Sequence, residues 1–211
     1  MFDFADLLKY CSIGAVLGLS AGLSPGPLLT LVITETLKHN RKAGFQVALS
    51  PLITDLPIVF ASVFVFSQLA QIDVVLGVVS FLGAAYIGFL GFETMLVREL
   101  QVGAPDFHSH SLKRGIIANF LSPHPYLFWI TVGAPFVFKA YELSIAASIL
   151  FFISFYVCLI GSKLMVAQLI SKTKIKFSNA VYLWVMRFLG IALLVFAAIF
   201  ILEGMTYFDL F

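Results

Sequence analysis

Charge is what this sequence has least of. Of its 211 residues only 11% are Asp, Glu, Lys or Arg, and 61% are hydrophobic; a soluble domain carries about a quarter charged residues. The mean hydropathy is +1.03. A chain this short cannot hide so much apolar surface from water in one core, so lipid is the solvent it fits. Cysteine is scarce as well. Cys11 and Cys158 are the only two, too few for a disulfide scaffold or a four-ligand metal site, and both sit inside apolar runs as small packing residues. The net charge is only +2, with the basic residues in short loops, which argues against a nucleic-acid partner. No G-x-G-x-x-G, P-loop or H-E-x-x-H string occurs, so the reading is of a non-enzyme without a cofactor. Residues 1–10 set Asp3 and Asp6 against a single Lys9 and lack the basic start of a cleaved signal peptide.

What is present is a series of apolar stretches. A span needs roughly 20 apolar residues to cross a hydrocarbon layer of about 30 Å, and six stretches qualify: 7–34, 44–69, 74–97, 115–138, 143–170 and 180–204. The expected fold is all-α and integral to the membrane, a single transporter domain over residues 1–211. The loops alternate in charge. Lys38, Arg41 and Lys42 lie in the first connection, Arg98, Lys113 and Arg114 in the third, and Lys172, Lys174 and Lys176 in the fifth, whereas the second and fourth hold only Lys139. Cytoplasmic loops are the ones rich in Lys and Arg. Both termini should therefore lie on the non-cytoplasmic side of an inner (plasma) membrane. The third connection also holds His108 and His110, read as part of a solvated cytoplasmic linker over 98–114 and not as a metal site. An apolar exterior is what a bilayer demands, so it is equally compatible with a monomer and a homo-oligomer.

A repeat points to function. Leu23-Ser24-Pro25-Gly26-Pro27 in the first stretch recurs as Leu121-Ser122-Pro123-His124-Pro125 in the fourth, and Phe-Leu-Gly recurs at Phe81 and Phe188. The chain thus divides into repeats of approximately 1–97 and 115–211. Three spans per repeat is an odd number, so the second repeat must be inverted, and paired proline-interrupted segments are the sequence pointer to an inverted-repeat transporter. Prolines remove backbone donors and break the helix. A break in lipid leaves polar backbone unpaired unless it lines a cavity or meets protein. Ser24 and Ser122 are placed as N-caps before Pro25 and Pro123, so each break should restart a half-helix whose amides favour an anionic group. Both breaks count to roughly 12–14 Å from the cytoplasmic helix ends, near the midplane.

Asp55 counts to roughly 16 Å along the second stretch. A charge there costs at least ~2.5 kcal/mol, so it should face a cavity or a partner. It suits proton coupling or amine binding, or it pairs with Arg187 of the sixth stretch. Arg187 in turn either holds a substrate carboxylate through its planar fork, pairs with Asp55, or snorkels toward the cytoplasm. Glu35, Glu93 and Lys163 count close to cytoplasmic helix ends, where charged groups reach water. Asn119 and Tyr156 either contact a substrate or bridge helices. Gly83 and Gly88 are expected to allow close packing.

The ordered set formed by Gly22-Leu23-Ser24-Pro25-Gly26-Pro27, Gly44, Asp55, Gly83-Ala84-Ala85-Tyr86-Ile87-Gly88 and Lys113-Arg114-Gly115 leading to Asn119-Phe120-Leu121-Ser122-Pro123 resembles the LysE/RhtB family. The resemblance implies efflux of amino acids or related small zwitterions, typically driven by the proton gradient. The chain departs from the family at His124-Pro125, where Asn-Pro-Lys is more usual; His124 titrates near physiological pH when unperturbed and either carries protons or caps the half-helix. The site expected on this basis comprises Ser24, Pro25, Gly26, Pro27, Asp55, Asn119, Ser122, Pro123, His124, Pro125 and Arg187, with Asp55 and His124 coupling protons and one three-helix half rocking against the other. Two alternatives stand beside it. A metal-ion exporter would need hard or borderline ligands clustered at the midplane, where only Asp55 and His124 qualify. A thiol electron relay would need a cysteine near each break, and Cys11 and Cys158 are misplaced for that.

Overall fold

The computed structural model describes residues 4–66, 72–97, 110–174 and 178–208. His108, with most of the linker read over 98–114, and the end of the second stretch at 67–69 lie outside them. The described residues are helical almost throughout: α1 (Phe4–Leu23), α2 (Pro27–Lys38), α3 (Arg41–Ala48), α4 (Pro51–Phe66), α5 (Ile72–Met95), α6 (Ser111–Phe120), α7 (Pro123–Phe128), a π-helical segment (Trp129–Gly133), α8 (Ala134–Leu143), α9 (Ile145–Lys174) and α10 (Asn179–Tyr207). Pro27, Pro51 and Pro123 each open a helix, at the position where a backbone N–H would have no intrahelical acceptor. Asn40 and Ser178 cap α3 and α10 by accepting from Ala43 N at 3.0 Å and Val181 N at 3.3 Å.

Among the described residues, five helices are long and apolar enough to cross a membrane: Asp6–Leu23, Arg41–Phe60, Leu76–Met95, Ile145–Thr173 and Asn179–Tyr207. The stretch expected over 115–138, read as a proline-broken fourth span, is not one of them. It folds as four pieces, α6, α7, the π segment and α8. The cause is proline. The turn at Leu121–Ser122 precedes Pro123. Pro135 lacks the N–H that would continue α-helical bonding, and just before it Ala134 N–H bonds Trp129 O in a five-residue step, a π-bulge at a missing donor.

Two glycine seams organise the bundle. A Cβ on Gly14, Gly18 or Gly22 of α1 would collide with α9 at Phe151, Phe155 and Leu159 in turn. Both series rise by four, so α1 and α9 run parallel with their backbones in contact, the close approach that small residues at four-residue spacing permit. On the other side α5 and α10 run antiparallel. Gly77 meets Phe208, Gly83 meets Phe200 and Leu121 O, and Gly91 meets Gly190 O. Gly83 therefore has the packing role expected of it, whereas a Cβ on Gly88 would make only an ordinary contact, 3.6 Å from Ala197. Between the seams, Leu31, Val32, Val47, Ile87, Ala118, Ala167 and Leu193 form one buried apolar cluster. Ile58, Leu76, Trp129, Phe155 and Leu159 form a second.

Glu35 and Glu93 were expected to reach water. Glu35 instead is 1% exposed. Arg114 Nη1 donates to Glu35 Oε1 at 3.0 Å and to Glu93 Oε1 at 3.1 Å, Lys38 Nζ donates to Glu93 Oε1 at 3.2 Å, and Ser111 donates to Glu35 Oε2. This ionic cluster ties the end of α2 to α5 and α6.

Candidate functional site

The two proline breaks meet. Ser24, Pro25, Gly26 and Pro27 on one side and Asn119, Ser122, His124 and Pro125 on the other line a single cavity of about 350 Å³, together with Asp55, Trp129, Phe155 and Lys163. The local geometry differs from expectation at the first break. Gly26, in extended conformation, is the N-cap of α2 with Pro27 following it, so Ser24 stands two residues too early to cap. Ser122 does occupy the N-cap of α7, but its side chain makes no capping hydrogen bond. Prolines at N1 of both restarted helices leave fewer backbone donors without a partner.

Asp55 is 5% exposed and held by neutral groups from three elements. Asn119 Nδ2 donates to Oδ1 at 3.0 Å and to Thr54 Oγ1 at 2.6 Å, Tyr156 on α9 donates its hydroxyl to Oδ2 at 3.3 Å, and the Trp129 indole adds a further donor. Asn119 and Tyr156 thus bridge helices through Asp55. Among the described residues Asp55 takes part in no ion pair; the ion pairs found are those of Lys38, His39 and Arg114 with Glu35 and Glu93.

His124 is exposed on the first turn of α7, its ring 5.6 Å from that of Phe200 on α10. Glu203, one turn further along α10, has a buried Oε2 without a hydrogen-bond partner. Pro123 is buried at the start of α7 and does not line the cavity. Arg187 does not line it either. It is exposed on α10 and, among the described residues, forms no ion pair with Asp55.

Lys163 is the residue that sequence reasoning misplaced. It was expected at a helix end in contact with water, yet it is 3% exposed. Its Nζ donates to Gly22 O at 2.9 Å and Ala21 O at 3.4 Å, the last-turn carbonyls of α1 that the break leaves without intrahelical partners. The signal was available only through helix length. The α9 helix runs on to Lys174, which puts Lys163 roughly 16 Å from its end instead of about two turns. Trp129, also missed, is carried inward by the π segment, and a π-bulge leaves no mark in composition. Among the described residues no group of three or more His, Cys, Asp or Glu converges.

The family model for the LysE type translocator matches residues 19–204, most of the chain. No curated protein matches the chain, and neither does any solved structure.

Proposed function

The chain belongs to the LysE family of translocators, which makes it a multi-pass membrane transporter and not an enzyme, and from that premise we propose that it is a proton-coupled secondary exporter of amino acids or related small zwitterions. The observation that carries the reading is the cavity at the two helix breaks with Asp55 in its wall. A volume of about 350 Å³ is at the small end of ligand sites. A carboxylate ringed by neutral donors is left free to accept a substrate ammonium or a proton.

The packing pattern supports two inverted repeats with six crossings. Exchanging the repeats turns the α1–α9 contact into a contact of α6–α8 with α3 and α4, and both are present; the α5–α10 contact maps onto itself. In this reading the pieces α6 to α8 together make the remaining crossing, with broken backbone tolerated because it lines a cavity, and both termini lie on the non-cytoplasmic side. The α2 and α6 helices, 12 and 10 residues long, set the breaks roughly 15–18 Å from their loop ends. Substrate sits between the breaks with its amine at Asp55, and Asp55 and His124 exchange protons with the two sides in turn.

Counterflow into proteoliposomes loaded with single unlabelled L-amino acids, with labelled amino acid outside, tests the substrate class. Accumulation for at least one amino acid is expected. Accumulation of divalent cations with none of any amino acid would replace this reading with metal export.

A further inference from the structure

Every hydrogen bond of Asp55 comes from a neutral group, and Lys163 presents the reverse case in the same cavity. The residue is 3% exposed, and its Nζ has no carboxylate within 4.0 Å among the described residues. It satisfies two of its three N–H donors on Gly22 O and Ala21 O. Those carbonyls form the negative end of the α1 dipole, worth roughly half an elementary charge, so the full positive charge is only partly balanced. The cavity therefore holds a carboxyl group on α4 and an amine on α9 that feel each other's charge but, among the described residues, make no direct ion pair with each other or with any other group.

We propose that Lys163 is the specificity-determining residue that receives the substrate carboxylate, opposite the amine site at Asp55. The inference deepens the amino-acid reading above and rests on it. The pair selects against simple amines and against amides, because each leaves the Lys163 charge buried without an anion. It also links binding to the helix break. A carboxylate at Nζ competes with Ala21 O and Gly22 O, loosening a side-chain tie that holds the end of α1 to α9. Arg187, exposed on α10, has no part in this.

The test measures how well each transported amino acid and its carboxamide inhibit counterflow of the labelled amino acid. In the wild-type protein the amide should inhibit at least ten-fold less well than the acid. In Lys163→Gln the acid should lose most of that advantage while the amide is little changed, and Lys163→Arg should retain the preference. A cap that serves only to hold α1 would weaken acid and amide alike in Lys163→Gln, and that result overturns the proposal. So does equal inhibition by acid and amide in the wild type, which needs no variant to fold. Absence of any amino-acid counterflow in the wild type is a different result, since it removes the substrate reading itself.

Discussion

At the residue scale the glycines give the sharpest predictions, because the same residue type is demanded at one position and tolerated at another. A Cβ on Gly18 meets the carbonyl and Cα of Phe155, backbone that cannot swing aside, whereas a Cβ on Gly26 has its nearest neighbour, Ser24 O, at 4.0 Å. Gly26 is also extended, with φ −167°, a conformation open to any residue. Gly18→Val should therefore destabilise the protein by about 1–3 kcal/mol, and Gly26→Ala by no more than ~0.5 kcal/mol; melting curves in detergent check both. Asp55 and Asn119 were legible in the sequence as polar groups stranded in apolar runs, since the cost of burial makes such residues stand out. Arg187 was not. Counting residues gives depth but not direction. The buried positions of α10 include Tyr182, Met186, Leu189, Gly190 and Leu193, a stripe that Arg187 misses by one residue, or about 100° around the helix. In a helix facing lipid both sides are apolar, so hydropathy does not mark the stripe.

At the scale of elements, proline positions predicted where helices stop, and the structure added what happens between the stops. The recurring string located both breaks. It did not reveal that the stretch over 115–138 folds as four pieces, because a π-bulge leaves no mark in hydropathy. Nor did it show which helices pack against one another. The Gly14–Gly18–Gly22 seam fastens α1 to α9, and the second seam fastens α5 to α10. A motion of residues 1–97 as one body against residues 115–211 would tear both seams. Any rigid-body motion that keeps both seams intact carries α1 with α9 and α5 with α10. The ionic cluster adds a separate tie between α2, α5 and α6. Arg114→Gln leaves Glu35, 1% exposed, without its main cation. Because Arg114 itself is 27% exposed, the loss should be about 2–3 kcal/mol, just below the range for a fully buried pair. Thermal melting of Arg114→Gln and of the double variant Glu35→Gln/Arg114→Gln measures it, and the double variant should recover part of the loss.

At the scale of the whole molecule, membrane residence was evident from composition alone, since only lipid reconciles 61% hydrophobic residues with 211 positions. Orientation rests on the basic loops and makes a prediction of its own. In cells expressing a Cys11→Ser/Cys158→Ser background with Lys113→Cys, a membrane-impermeant thiol reagent should label the protein only after permeabilisation. Labelling in intact cells would invert the topology and place both termini on the cytoplasmic side.

The central claim is that amino acids leave through the cavity at the helix breaks in exchange for protons taken up at Asp55. Proteoliposomes loaded with a labelled amino acid and diluted into acidic or neutral buffer test it most directly, wild type beside Asp55→Asn. An acidic exterior should accelerate efflux from wild-type vesicles at least ten-fold, and Asp55→Asn, folded to the same melting temperature within a few degrees, should show no acceleration. Equal acceleration in the two proteins would contradict the claim and leave Asp55 a structural hub for Asn119, Tyr156 and Trp129.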